Sequence, residues 1–274
     1  MGFAEAAEAA PAADRWPQAE SATARLFLPP AAAGRDAGDS YEVLGDSDQL
    51  LYIELAPGAS VLASPGAMMM MSNNIQTSVS YDSMGVRCCS GESCCLARFT
   101  NTGNLESHLS LTAKAPSVVL PLKLQRDAGA MQLRRGSYFA SRGDVDIGFE
   151  CDCNPLTSCC AGFGCVRQTL AGDGTAFLAA TGTVTTKTLA DGEMLVVDST
   201  SLMAWESSAR LGVRPAGGCC VCCLSGEGCC NTTITGPGTV YLQSMTFTRM
   251  HNALSFTVYK KSRAGAGGGQ GSAD

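Results

Sequence analysis

The chain has 274 residues, 45% of them hydrophobic, and a formal net charge of −6. This composition is typical of a globular protein with one or two domains, and its acidic balance excludes the basic face of a nucleic-acid-binding protein. No run approaches the ~18–20 consecutive apolar residues of a membrane-spanning helix.

The two ends of the chain differ in composition from its middle. Residues 1–39 are rich in Ala and Pro, which predicts a disordered tail. Glu5 and Glu8 stand where a secretory or mitochondrial leader needs basic or apolar residues, so we expect an intracellular protein and favour the cytoplasm. Residues 263–274 form a flexible Gly-rich tail, which leaves 40–262 as one folded domain.

The cysteines are concentrated in three stretches of the chain. Each stretch contains a Gly-x-Ser/Gly-Cys tetrad, which begins at Gly91, Gly162 and Gly226. The fifteen cysteines are Cys88, Cys89, Cys94 and Cys95 in the first stretch, Cys151, Cys153, Cys159, Cys160 and Cys165 in the second, and Cys219, Cys220, Cys222, Cys223, Cys229 and Cys230 in the third. The recurrence points first to architecture and only second to chemistry.

Two further sets of glycines keep a fixed distance from these tetrads. One set lies nine residues after the tetrad cysteine, and the other lies 33 or 34 residues before the tetrad, just ahead of an apolar run. The two sets are Gly103, Gly174 and Gly238, and Gly58, Gly129 and Gly192. Because both spacings agree in all three copies, the sequence predicts three repeats, about 41–113, 114–182 and 183–259.

The repeat region is predicted to be all-β. Its short runs of Val, Leu and Thr alternate with polar residues, as at 183–189 and 255–259, and Gly, Pro, Asp and Asn separate them. The four methionines Met68–Met71 fall in one such run, at the place that 134–140 and 200–206 occupy in the other repeats. We expect alternate methionines to pack into the core.

Several segments together resemble a known family. Two of them are the most specific: the tetrad Met-Ala-Trp-Glu at 203–206 and Gly-Pro-Gly-Thr-Val-Tyr-Leu-Gln at 236–243. The others lie at 55–58, 64–68, 91–93, 135–140, 191–193, 198 and 226–228. In this order they resemble the altered-inheritance-of-mitochondria protein twenty-four family, over about residues 41–259.

The resemblance implies a fold like that of the trp RNA-binding attenuation protein (TRAP). This fold is a double-stranded β-helix, jelly-roll-like, repeated here with pseudo-threefold symmetry. The resemblance implies no enzyme activity, and for eukaryotic members a link to organisation of the mitochondrial inner membrane, so the mitochondrion is the alternative location. This chain differs from the family's usual pattern because cysteine pairs replace Gly, Leu, Phe and Lys in the three loops.

Three interpretations of the cysteines stay open. Thiolates bind zinc, copper(I) and iron–sulfur clusters, and the two-residue gap from Cys219 to Cys222 suits one ion, with zinc the first candidate cofactor. Vicinal cysteines in apolar loops also resemble S-acylated membrane anchors. Finally, cysteine can replace Leu or Phe as a small buried hydrophobe, which we favour. In a reducing compartment, and with an odd cysteine count, a complete set of disulfides is not expected.

The sequence contains no recognisable catalytic machinery. His108 and His251 lie outside the cysteine stretches, and Asp198 and Glu206 fit turn caps better than a carboxylate pair. The sequence therefore predicts a non-enzymatic scaffold or interaction protein that contacts a partner protein or a membrane surface through the three loops. The alternative is a thiolate metal-binding protein. Such a chain is expected to be a monomeric pseudo-trimer or a small homo-oligomer, and a ligand pocket within the β-fold stays open.

Overall fold

The fold was analysed in a computed structural model, which describes residues 33–36, 39–46, 48–152, 154–155, 157–158, 162–217, 230–246, 249–251 and 255. Strands make up most of this part of the chain, so the all-β prediction is confirmed. The strands are β1 Ala33–Asp36, β2 Asp39–Leu44, β3 Leu50–Leu55, β4 Ser60–Ala63, β5 Met68–Met71, β6 Ile75–Ser80, β7 Leu96–Asn101, β8 Ser107–Thr112, β9 Val118–Lys123, β10 Met131–Leu133, β11 Tyr138–Arg142, β12 Val145–Cys151, β13 Val166–Gly172, β14 Thr175–Leu189, β15 Met194–Val197, β16 Leu202–Glu206, β17 Arg210–Pro215, β18 Cys230–Thr235 and β19 Gly238–Met245. The helical elements are α1, Met84–Cys89, and a 3₁₀ turn, Arg126–Ala128.

The described strands form three sheets, and all their pairings are antiparallel. One sheet has the order β1-β2-β3-β8-β5, and the smallest has the order β15-β18-β17. The largest has the order β12-β13-β10-β16-β19-β14-β11-β4-β7-β6, with β9 pairing β14. β1 pairs with β2, although it lies inside the stretch 1–39 for which a tail is predicted.

The core forms along strands in which buried apolar side chains alternate with partly exposed ones. In β3, Leu51, Ile53 and Leu55 are buried while Tyr52 and Glu54 are partly exposed, the two-residue period of a strand with one covered face. Three buried clusters result, centred on Phe99 and Phe177, on leucines of β9, β10, β13 and β14, and on Trp205. Burial of each large side chain stabilises the fold by roughly 1.5–3 kcal/mol.

Each of the three cysteine stretches joins the two strands of one hairpin. β6 pairs with β7, β12 with β13 and β17 with β18, all antiparallel. The connections are residues 81–95, 152–165 and 216–229, called here the first, second and third cysteine loops. This placement puts the described cysteines at or near the ends of hairpins.

The methionine run is not in the core. All four side chains of β5 are exposed, by 39 to 57%, so the prediction that alternate methionines pack inwards is wrong. The reason is the position of the strand. Among the described strands β5 pairs only with β8, and its register shifts between Met68 and Met70. The side chains of an edge strand with an irregular register can remain uncovered on both faces of the sheet.

One turn recurs at corresponding places in the predicted repeats. Backbone hydrogen bonds join Ala67 N to Ser64 O, Ser137 N to Arg134 O and Ser201 N to Asp198 O, at 3.2, 3.2 and 3.0 Å. Each turn leads into β5, β11 or β16. The three-repeat, TRAP-like arrangement itself stays a prediction.

Candidate interaction site at the cysteine-bearing hairpins

The first cysteine loop is built around a buried arginine. Arg87, in α1, is fully buried, and its Nε donates a hydrogen bond to the Ser93 carbonyl at 2.9 Å. Its guanidinium lies 5.0 Å from the centre of the Tyr138 ring, and the carboxylate of Glu92 is 3.8 Å away. Burial lowers the pKa of Arg87, with Glu92 opposing that shift. The arginine therefore ties the two halves of the loop together and places the loop on β11.

A disulfide closes the same loop. Cys88 and Cys94 are bonded to each other and follow directly after Arg87 and Ser93, the two residues joined by the hydrogen bond. That contact brings the two cysteine Cα atoms to 4.7 Å, within the range a disulfide requires. This single bond is not the complete set of disulfides that the sequence argues against, and Cys89 and Cys95 keep unbonded thiols.

The first loop is also fixed to the turn before β11. The Gly136 N–H donates a hydrogen bond to Glu92 Oε1, and the guanidinium of Arg135 covers Gly91. Gly91 has a φ of +77°, a left-handed conformation that favours glycine, and this leaves room for the guanidinium beside it. The loop thus covers the start of β11.

The second cysteine loop is held by another buried arginine. Arg167 of β13 forms an ion pair with Asp152 at 2.6 Å and donates a hydrogen bond to Gln132 Oε1 at 3.0 Å. Its guanidinium lies 5.9 Å from the Trp205 ring centre. Burial opposes ionisation of Asp152, but hydrogen bonds from Thr157 and Arg167 outweigh it and hold the pKa of Asp152 below its usual value.

Phe163 connects the second loop to β16. Its ring is buried and meets Trp205 edge-on at 5.5 Å, a favourable aromatic geometry. The guanidinium of Arg134 also lies over this ring, 5.0 Å from its centre. The second loop therefore covers β16, as the first covers β11.

Exposed apolar side chains lie beside the first two cysteine loops. They are Val79 at the end of β6, Tyr81 and Met84 in the first loop, and Phe149 near the end of β12, each exposed by 45 to 64%. α1 packs against β12 and β13, so the two hairpins are neighbours. Clustered exposed apolar groups typically mark an interaction surface.

The described cysteines are not buried. Cys88, Cys89, Cys94, Cys151 and Cys165 are exposed, and Cys95 and Cys230 are half-buried. The favoured interpretation, cysteine as a buried hydrophobe, is therefore wrong for these seven. The buried positions of the first two loops are occupied by Arg87, Thr157 and Phe163 instead. The other predicted site residues, Cys153, Cys159, Cys160, Cys219, Cys220, Cys222, Cys223 and Cys229, lie outside the described residues.

Metal binding stays a prediction. Within the described ranges, no three His, Cys, Asp or Glu side chains are grouped so as to hold a metal ion. Cys88 and Cys94, while bonded to each other, cannot both serve as thiolate ligands.

The other polar residues named from the sequence have structural partners. Asp198 accepts hydrogen bonds from Thr200 and Ser201 and pairs with Arg249 at 2.6 Å, so it caps a turn as predicted. Glu206 accepts a hydrogen bond from Thr239 N at 3.1 Å. The His108 ring stacks on Tyr52, and its Nδ1 lies 2.7 Å from the tyrosine hydroxyl.

Sequence reasoning missed the arginines that hold the two loops. Arg87 directly precedes Cys88, and Arg167 follows Cys165 by two positions. The available signal was that an arginine lies next to each of the first two cysteine stretches, although the chain as a whole is acidic. Charge, however, predicts exposure, whereas here aromatic rings and carbonyl or carboxylate partners stabilise the buried guanidinium groups.

Comparison with known proteins identifies the family. The model of the mitochondrial biogenesis AIM24 family matches residues 41–245. Among solved structures, protein SPYM3_0169 from Streptococcus pyogenes is similar at 22% identity, with 80% of this chain and 99% of that chain covered and a TM-score of 0.63. At this identity the likeness shows the fold alone. The search of curated proteins finds no match. Within the described part of the chain, no helix is long and apolar enough to span a membrane. On the family match, the chain belongs to the mitochondrial biogenesis AIM24 family.

Proposed function

We propose that this protein is a non-enzymatic scaffold that attaches to a membrane surface through its cysteine-bearing hairpin ends. One observation carries the proposal: Val79, Tyr81, Met84 and Phe149 are exposed beside the first two cysteine loops. Aromatic and methionine side chains of this kind enter the boundary between lipid headgroups and acyl chains without any spanning segment. The scaffold role extends the family description, mitochondrial biogenesis, to this chain.

The loops are suited to this role because they are held in place. Arg87 and the Cys88–Cys94 disulfide fix the first loop, and Arg167 and Phe163 fix the second. A surface that is already ordered loses little conformational entropy when it binds. Contact area is therefore converted into affinity more efficiently than in a flexible loop.

Acylation of exposed thiols would strengthen the attachment. Cys89, Cys151 and Cys165 are exposed and unbonded. A thioester formed at two of them would supply the two-chain anchor that stable membrane binding requires. We place the protein inside the cell, in the cytoplasm first and in the mitochondrion as the alternative that the family description favours.

Vesicle flotation of the full-length protein tests the proposal. The test variant combines Tyr81→Ser with Met84→Ser, and the control is Leu105→Ser. Leu105 is 76% exposed but follows β7 at the end opposite the first cysteine loop. We expect wild type and the control to float with phosphatidylcholine vesicles, and the test variant to lose most of its bound fraction.

Equal flotation of all three proteins would contradict attachment through Tyr81 and Met84, and no flotation of any would contradict membrane attachment itself. Binding to a protein partner would instead appear as capture that the same double variant abolishes in the absence of lipid. Metabolic labelling with a fatty-acid analogue, followed by thioester cleavage with hydroxylamine, tests the acylation step separately.

A further inference from the structure

A cavity of about 560 Å³ opens between the turn before β11 and the second cysteine loop. Its volume is within the range of small-molecule binding sites. Three cationic side chains line it: Lys114 after β8, and Arg134 and Arg135 before β11. Phe163 and several alanines form the apolar part of its wall, and the described residues that line it include no carboxylate.

These three cations lack the carboxylate partners that several other cations of this acidic chain have. Arg98, Arg126 and Arg167 each lie within 4 Å of a carboxylate. Lys114, Arg134 and Arg135 form no ion pair with any residue that the structure describes. Three like charges around one concave surface repel each other, and a bound anion would relieve that repulsion.

The nearest acidic groups are already engaged elsewhere. Glu92 accepts the Gly136 N–H and faces Arg87, and Asp198 binds Thr200 and Arg249. Asp198 still acts on Arg134 through space, but burial is the larger influence and lowers the pKa of Arg134. A guanidinium that is partly withdrawn from water gains most from an added negative charge.

Two of the three cationic groups are held in fixed positions. Arg134 lies over the Phe163 ring and donates a hydrogen bond from one terminal nitrogen to the Ser199 carbonyl, which leaves its other N–H groups available. Arg135 lies against Gly91. Planar guanidinium groups bind phosphate oxygens in pairs of parallel hydrogen bonds, and lysine adds a point charge.

We propose that this cavity binds a phosphate-bearing ligand, whose phosphate oxygens contact Arg134, Arg135 and Lys114 while its apolar part lies against Phe163. The phosphate can belong to a soluble organic phosphate or to a lipid headgroup, and the chemistry of recognition is the same. The cavity residues differ from Val79, Tyr81, Met84 and Phe149, so binding of a soluble phosphate tests this site separately from membrane attachment.

Calorimetric titration of the full-length protein with inorganic pyrophosphate tests the soluble source. The test variant combines Lys114→Gln with Arg135→Gln, both at exposed positions, which leaves the buried contacts of Arg134 intact. The control is Arg214→Gln, an exposed arginine of β17 outside the cavity. We expect wild type and the control to bind alike, and the test variant at least about tenfold more weakly.

Vesicles of phosphatidylcholine with and without phosphatidic acid test the lipid source with the same three proteins. Added affinity for phosphatidic acid that the test variant loses and the control keeps would support the site and assign it to a headgroup, even without pyrophosphate binding. The proposal is overturned if neither probe binds, or if the test variant binds as well as wild type. It is equally overturned if Arg214→Gln loses as much affinity as the test variant.

Discussion

β5 occupies the same place in the first predicted repeat that β11 and β16 occupy in the second and third, yet its surroundings are opposite. The side chains of β5 are all exposed, whereas the first four residues of β11 and of β16 are all buried. β11 pairs with β4 and β14, and β16 pairs with β10 and β19. Among described strands, β5 has β8 alone.

The cysteine loops add to this difference. The first loop lies on β11 through Arg87 and Tyr138, and the second lies on β16 through Phe163 and Trp205. No described loop residue contacts the methionines of β5 in this way. For β5, β11 and β16, burial therefore depends on the strands and loops that cover the strand from outside its own predicted repeat. The hydrophobicity of the strand itself does not decide it.

The largest effect is expected for a charge placed at corresponding positions. Ala140→Lys would bury an unpaired ammonium group between β4 and β14, at a cost of at least about 4 kcal/mol, whereas Met70→Lys points into water and leaves stability unchanged. Urea unfolding followed by circular dichroism measures both. Equal losses in the two variants would show that β5 is covered in solution.

A large side chain gives the next largest contrast. Trp205→Ala should cost about 3–5 kcal/mol because it leaves a cavity in the third cluster, while Met71→Ala at the corresponding position should change stability by less than about 0.5 kcal/mol. The urea midpoints of the two variants give the difference directly. A destabilisation of Met71→Ala above about 2 kcal/mol would contradict the edge position of β5.

Loss of the Cys88–Cys94 disulfide should loosen the first loop and make β11 more accessible to solvent, as β5 is. Replacing both Cys88 and Cys94 by Ser removes a short cross-link and should cost about 2 kcal/mol under oxidising conditions. Exchange of the Tyr138 backbone amide hydrogen with solvent should become faster in the same variant. The control, Cys89→Ser with Cys95→Ser, should change neither quantity. Wild-type protein in reductant should match the Cys88/Cys94 variant, and failure to do so would contradict the role of this bond.

The smallest effect concerns the second loop and depends on pH. The pKa of Asp152 is lowered in the folded protein, so its pairing with Arg167 stabilises the fold above the ordinary pKa of about 3.9 and is lost as the pH falls through the folded value. Asp152→Asn should therefore be less stable by about 1 kcal/mol at pH 7 and equal to wild type near pH 2. Thermal melts across this range measure the difference, and a gap that persists at pH 2 would contradict the ion-pair explanation.

The sequence predicted local structure better than it predicted environment. The apolar run after Gly58 matched β4 at Ser60–Ala63, because alternation and glycine turns act over a few residues. The burial of Arg87 and the exposure of Met68–Met71 could not be predicted, because each depends on strands and loops far along the chain. Likewise the first two cysteine stretches do connect paired strands, but Arg87 and Phe163 take the buried positions there, and the described cysteines are exposed or half-buried.

β14 has a consequence for any attempt to dissect this protein. Its fifteen residues form one continuous strand, whose first half pairs with β9 and β11 and whose second half pairs with β19. The predicted boundary between the second and third repeats, 182/183, falls inside it. Excising either predicted repeat would divide β14 and separate its pairing with β9 and β11 from its pairing with β19. Each fragment would then end in a truncated strand. A single proteolytic cut near Gly182 should therefore destabilise the fold on both sides of the cut. The three predicted repeats are thus not independent folding units.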